Sequence, residues 1–465
     1  MTKHDVETSI GPSQALADFA ARTRFEEIPA TVLDRALIHI LDGLGLAVAS
    51  TTFPFAGPTL SAVKDLSGGA GCSIIGQGFR AAPRDAAMAN GVLIHGLDYD
   101  DTHLQAIVHP TAAVLPAVLA VAEDRNLSGK DALTAFCIGM EVCIRLGAAV
   151  KGGFHHTGFH ATGVLAHFSS TLAAGRLMGA TAKDHVNAFG IAASTASGVQ
   201  VFLEEGAWTK RLHPGWAAAG GITAATLARH GFVGPTRALE GRFGLFDTHL
   251  HEHAKDVDTS FLSDGLGDTW MMADTALKPY PVCHFIHGAA DAALSLYPRI
   301  EGAEIASVDI ALPQDTLKIV AEPIEHKRRA RNEYEAKFSA PFVVASTLLK
   351  GRFGLSDLTD TALADSQVQA LAQRCSCHAD PQSLFPEYFS GGVRVTMADG
   401  RELTAHVPVN SGAGDRKMTL AETTDKYLQN TGLAMPDDQA MTIRDRVLAM
   451  AQEPVTNLMA ALRAE

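Results

Sequence analysis

The chain is short of basic residues. Its 38 Lys and Arg face 51 Asp and Glu, a net charge of −13, so no broad cationic face is expected and nucleic acid is excluded as a partner. Small anions are not excluded, because a few local cations outweigh a distant acidic surface. Cysteine is also sparse: six in 465 residues do not make a disulfide framework. The opening "MTKHDVETSIGPSQALADFA" has no basic stretch leading into an apolar core, so no secretory leader is read there and the thiols are expected reduced, in the cytoplasm. No apolar run is read as long enough to span a membrane; the longest candidate, "RALIHILDGLGLAVAS", carries Asp42. GxGxxG and GxxxxGK[ST] are both missing, which removes the usual nucleotide cofactors, and no GxSxG elbow points to a serine hydrolase. There is no HExxH, and in "CSCH" Cys375 and Cys377 are too close for the usual zinc spacing, with no second ligand pair following. No metal and no organic cofactor are expected.

What is present is Ala- and Gly-rich helical sequence. "VLDRALIHILDGLGLAVAS", "AAVLPAVLAVAEDRN" and "DALTAFCIGMEVCIRLGAAV" carry apolar residues at helical spacing. Thr181, three residues before Asp184, is a predicted N-cap. Small-residue patches such as "AAGRLMGA" let helices approach closely. The texture changes near 280: "IASVDIALP" alternates like a strand, and "GGVRVTMADGRELTAHVP" predicts a hairpin turning at Asp399-Gly400. The expected fold is mainly α with a smaller α+β domain. Residues 1–277 form the first part of a helical domain, 278–412 an α+β lid, and 413–465 helices returning to the first domain.

Titratable groups gather in four places. "GVLIHGLDYDDTHLQAIVHPTAAVLPA" puts three aspartates and three histidines between His95 and His109, an expensive grouping beside an apolar interior unless the groups are paired or used. A helical continuation would put Asp98 and Thr102 on one face, and the helix after His109-Pro110 would offer N–H groups to an anion. These residues either move protons near a bound carboxylate, or the aspartates simply cap helices and pair with cations. "KGGFHHTGFHATG" adds histidines among glycines, and "AWTKRLHPGWAAAGG" brings Lys210, Arg211 and His213. "ALKPYPVCHFIHGAADAA" brings Lys278, His284 and His287. Together they supply the cations a di- or tricarboxylate needs. Trp208 and Tyr280 flank the lysines and either wall a pocket or pack in the core.

These pieces, in this order and with "AKFSAPFVVASTLLKG", resemble the MmgE/PrpD family, whose activities include dehydration of 2-methylcitrate, decarboxylation of cis-aconitate and epimerisation of iminodisuccinate. The resemblance spans nearly the whole chain. It implies a helical domain built from both chain ends, a smaller α+β lid, a homodimer, and chemistry without metal or organic cofactor. On matching positions it implies Asp98, His109, His160, Lys210 and Lys278 as catalytic, with Thr102, His213, His284 and Tyr280 binding substrate. The lysines would hold carboxylates and take up charge developing on the adjacent carbon, while histidine moves the proton. The function so implied is a lyase on a small carboxylate. An epimerase on the same scaffold and a non-catalytic anion-binding protein are the alternatives.

Overall fold

The computed structural model of the protein describes residues 11–68 and 71–464; the reading of the first twenty residues as free of a leader falls partly outside them. The first half is a stack of helices: α1 (Pro12–Arg22), α2 (Ala30–Ser50), α3 (Ala56–Leu66), α4 (Pro83–His95), α5 (Thr111–Asp124), α6 (Gly129–Val150), the single turn α7 (Gly153–His156), α8 (Ala161–Leu177), α9 (Ala182–Ala193), the single turn α10 (Phe202–Glu205) and α11 (Thr209–Arg229). A two-residue ribbon, β1 (Cys72–Ser73) with β2 (Arg80–Ala81), interrupts them. Helix starts follow local chemistry. Ser128 and Thr181 each cap a helix by accepting from the backbone N–H three residues on, and Asp131 and Asp184 reach back to complete the capping boxes. The cap expected at Thr181 is present.

Helix α6 corrects one expectation: by length and composition it is apolar enough to cross a bilayer. All of that stretch is buried inside the protein. Its one buried ion pair, Arg145 to Glu141 at 2.6 Å, leaves guanidinium N–H groups that donate to the carbonyls of Phe261, Asp264 and Thr269. It is a core helix that pins the 261–269 segment. The expected run of helix up to 275 also breaks. Between α11 and residue 275 the chain forms only α12 (Leu245–Leu250) and short 3-10 turns, because glycines at 231, 234, 241, 244, 265 and 267 raise the entropic cost of any regular helix there.

The next segment holds α13 (His287–Ile300) and a four-stranded mixed sheet of β3 (Ile305–Leu312), β4 (Cys375–Ala379), β5 (Gly391–Met397) and β6 (Glu402–Val407). The strand order is β4-β3-β5-β6. Strand β3 runs parallel to β4, with Val308 opposite Cys375, and antiparallel to β5. The predicted hairpin is β5–β6, with Val393 opposite Ala405. "CSCH" is strand β4. Val308, Ile310 and Leu312 turn inward and meet α13 and the helix Ala340–Lys350 in one apolar cluster that runs from Tyr280 to Leu403. A larger cluster runs from Leu16 to Met272 and takes in Tyr427, Ile443, Val447 and Met459 of the last three helices. The tail thus packs on the first half: the Tyr427 ring lies against Gly45 of α2, where a Cβ would sit 2.8 Å from it. The architecture is mainly α with a smaller α+β part.

Candidate functional site

Helices α4 and α11 set the site. They cross where two glycines touch: a Cβ on Gly91 would lie 2.6 Å from the Gly215 Cα, and one on Gly215 would lie 2.3 Å from the Met88 carbonyl. That approach brings Lys210, in the first turn of α11, over the loop that follows α4. The expectation that Asp98 and Thr102 share a helical face is overturned. Helix α4 ends at His95, Gly96 is pressed against the Phe55 ring, and Asp98 takes a left-handed backbone with φ 52°, which Asp tolerates better than most residues. Thr102 instead pairs through its backbone with Ala276, which sets Lys278 beside Asp98.

The two lysines meet on that aspartate. Asp98 Oδ2 accepts from Lys210 Nζ at 2.6 Å, and Oδ1 and the Asp98 carbonyl accept from Lys278 Nζ at 2.6 and 2.8 Å. Burial alone would raise the Asp98 carboxyl, but the two ammonium groups overrule it and hold it well below the ordinary value. Burial likewise opposes charge on Lys278, and Asp98 beside it keeps its pKa above the usual one. Each ammonium has three N–H groups. Three of the six remain for a ligand.

His109 closes the same loop. Its Nδ1 lies 2.6 Å from the Asp101 carbonyl, with Thr102 Oγ1 at 3.1 Å. A carbonyl only accepts, so Nδ1 carries the proton and Nε2 keeps its lone pair. Burial pushes His109 down to about 3, leaving a neutral ring poised as a base. Between these two positions Ile107 holds φ 52°, a strained backbone for a β-branched residue. Asp100 bonds His95 at 2.7 Å, and burial raises its carboxyl to about 6. The His95, His109 and His160 rings stand 5.1–6.0 Å apart, centre to centre.

The anion expected at the start of α5 is the protein's own. Asp101 accepts from Thr111 Oγ1 at 2.6 Å and from the Thr111 N–H at 3.3 Å, with His39 Nδ1 at 3.2 Å. That helix end is filled from within.

His160 precedes α8, its N–H bonded to the Gly198 carbonyl, and its Nδ1 lies 3.0 Å from Nδ1 of His213. Burial, then His213 and Lys210, drive its proton affinity well below the ordinary value. His213, expected to bind substrate, stands behind His160 and does not line the cavity. Tyr280 is displaced too: its hydroxyl donates to Asp291 at 2.8 Å and its ring packs in the smaller core. Trp208 is half exposed. Lys337 is fully buried and donates to the Leu97 carbonyl at 2.6 Å. Glu205 is exposed and does not pair with Lys210.

A cavity of about 80 Å³ unites the rest: Asp98, Thr102, His109, His160, Lys210, Lys278 and His284 all line it. His155, from the histidine-bearing stretch 151–163, lines it too, while Gln200 and Cys283 were not marked by the sequence. Four rings, Phe202, Phe285, Phe338 and Phe389, with Ile107, Leu203 and Ile319, make the apolar walls. A wider vestibule of about 330 Å³ meets the cavity at Leu203, Ile319 and Phe338 and carries Lys318, Lys327 and Arg331 among acidic residues. Among the described residues, no three His, Cys, Asp or Glu side chains stand in a metal-holding group.

Known proteins resemble this chain along most of its length. The family model of the MmgE/PrpD N-terminal domain matches residues 14–258, and that of the MmgE/PrpD C-terminal domain matches 280–452. A cis-aconitate decarboxylase from Aspergillus terreus is 27% identical, covering 97% of this chain and 96% of that protein. The Homo sapiens cis-aconitate decarboxylase is 29% identical over 86% of this chain and 83% of its own. A 2-methylcitrate dehydratase from Cupriavidus necator is 25% identical over 93% of each.

Proposed function

The chain belongs to the MmgE/PrpD family, and from that premise we propose that it is a lyase acting on a small di- or tricarboxylate, by dehydration or decarboxylation. The observation that carries this reading is the convergence, in one buried cavity, of two ammonium groups on Asp98 with a neutral His109 whose Nε2 is free. A substrate carboxylate takes the spare N–H groups of Lys210 and Lys278, and Thr102 adds a hydroxyl. For dehydration, His109 Nε2 removes the proton next to that carboxylate, and the electron pair spreads into oxygen facing the ammonium groups. The pair then forms the C=C bond as hydroxide leaves, taking the proton that His109 has just collected and departing as water. For decarboxylation the C–C bond to a carboxylate breaks, CO₂ departs, and the pair left behind is protonated through His109, whose Nε2 first takes a proton from solvent. No step calls on a metal or an organic cofactor.

An epimerase is the second reading, favoured by His109 and His160, whose rings stand 6.0 Å apart and could address opposite faces of one carbon. Deuterium entering the α-position with no product of new mass selects it. A non-catalytic anion binder would bind tightly without turnover. Citrate, methylcitrate, aconitate and iminodisuccinate analogues, screened by mass change, test the class. Lys210→Ala and His109→Ala are each expected to lower turnover by about 10²-fold or more, and unchanged turnover in both overturns the assignment.

We place the protein in the cytoplasm, a reducing compartment that suits its six free thiols. The two apolar clusters support reading 278–412 as a lid domain over the rest. We further propose a homodimer, supported by the exposed Trp208, Leu212, Trp216 and Leu227 along one side of α11.

A further inference from the structure

We propose that Asn410 locks His284 as a permanently neutral hydrogen-bond donor, offering its Nδ1–H to a substrate oxygen, so that His284 holds the ligand and leaves proton transfer to other groups. Asn410 is then its positioning residue. This deepens the lyase reading and rests on it for the identity of the ligand.

The lock is a chain of groups whose roles are fixed. Asn410 follows β6 and is fully buried. Its amide contacts three partners: the Phe389 N–H at 3.3 Å on the Oδ1 side, and the Ser411 carbonyl at 3.3 Å and His284 Nε2 at 2.8 Å on the Nδ2 side. A backbone N–H only donates and a carbonyl only accepts, so the amide has one orientation. Its N–H therefore points at His284 Nε2, which must accept, and the ring proton sits on Nδ1. That Nδ1 is buried and has no partner among the described residues, on a side chain that lines the cavity.

A second proton would have to enter at Nε2, against the Asn410 N–H. The groups around the ring oppose it as well. His287 lies 4.3 Å away, ring to ring, and Lys278 and His109 face it, while Asp98 pulls more weakly the other way. Burial, followed by these neighbours, holds its proton affinity well below the ordinary value. Giving up the Nδ1 proton outright would leave an imidazolate, which neutral pH does not allow. A neutral imidazole donating to a carboxylate or enediolate oxygen is the remaining role.

Three measurements test it. His284→Asn, which keeps an amide N–H near the Nδ1 position, is expected to retain turnover within about tenfold, while His284→Ala loses about 10²-fold, mostly in KM. Equal loss in both, carried in kcat, marks a proton-transfer residue and overturns the proposal. Asn410→Asp puts a carboxylate against Nε2 and draws a proton there, so its kcat/KM profile is expected to gain an ionisation that the parent lacks; an unchanged profile overturns the lock. The third readout needs no substrate. In the ¹⁵N-histidine spectrum of the whole protein, the signals missing from His284→Asn are expected to report a neutral, Nδ1-protonated ring from pH 6 to 8. An Nε2-protonated ring or an imidazolium there overturns the proposal. If that spectrum is found but no carboxylate is turned over, the lyase reading falls and the lock stands.

Discussion

Asp98 anchors the chemistry at the scale of single residues. It is a buried carboxylate bound to two buried ammonium groups, and removing its charge leaves both cations without a counter-ion. Asp98→Asn is expected to lower stability by about 3–5 kcal/mol, as breaking buried pairs does, read as a shift in the denaturant midpoint. Adding Lys278→Met should recover part of the loss, and a single variant with the parent's midpoint would sink the idea. The titratable members of this site were legible because such residues cost free energy in an apolar setting unless they are used. Asp98, Thr102, His109, His160, Lys210, Lys278 and His284 all reach one cavity. What each touches was less legible. Asp101 and Asp98 look alike in sequence, yet Asp101 caps α5 from inside the protein while Asp98 holds the lysines. His213 and Tyr280 belong to matching motifs but bond His160 and Asp291. The aromatic walls carry no charge to mark them, and Asn410 stands 126 positions from the ring it orients.

Glycine contacts govern the elements. Because α4 and α11 meet at Gly91 and Gly215, any side chain there must push the helices apart, and Lys210 moves with α11. Gly215→Ala would set its Cβ 2.3 Å from a backbone carbonyl that cannot rotate away. Overpacking of this kind costs about 1–3 kcal/mol. The variant should also lose turnover, as the Lys210–Asp98 contact lengthens; a normal melt with normal turnover would show that the crossing does not set the site. Long helices and the β5–β6 hairpin were legible from periodicity and turn residues, and the cap at Thr181 from its spacing to Asp184. The end of α4 was not, because "GLDYDD" continues helical polarity, and what departs from the helix is the left-handed backbone at Asp98. Nor was β4, a strand whose partner β3 lies more than sixty residues earlier.

At the scale of the whole molecule, histidine burial sets the response to acid. Burial pushes His103, His155, His167, His185 and His213 to about 4 and His109 to about 3, against about 6.5 in an unfolded chain. Between those values the unfolded chain takes protons that the folded one refuses, so stability falls as pH drops from 6.5 toward 4. Each proton so held changes stability by about 1.4 kcal/mol per pH unit. Asp100, raised to about 6 by burial, acts oppositely: its contribution is present below about 4 and lost as pH rises through 6. Burial raises Asp42 and Glu141 as well, but three carboxyls do not offset these six rings together with His39, His95, His160, His284 and His287, which burial also holds down. Urea midpoints at pH 7, 6 and 5 are expected to fall in that order, and a flat or rising series would contradict the burial of neutral rings. The exposed side of α11 belongs to this scale also. Trp216→Glu, on a residue 47% exposed, should leave folding intact and convert a dimer to a monomer in light scattering; a monomeric parent removes that assembly.

The cavity takes its two sides from different stretches of chain. Asp98, Thr102, His109, His160 and Lys210 come from before residue 211 and are joined by Lys278 and His284, while four of the apolar wall residues, Phe285, Ile319, Phe338 and Phe389, come from after residue 284. Exchanging one of those later side chains can alter which molecule is admitted while the proton-handling groups stay as they are. A scaffold divided in this way lets selectivity drift without rebuilding its reactivity, and a set of substitutions at those four positions is the natural library for redirecting it.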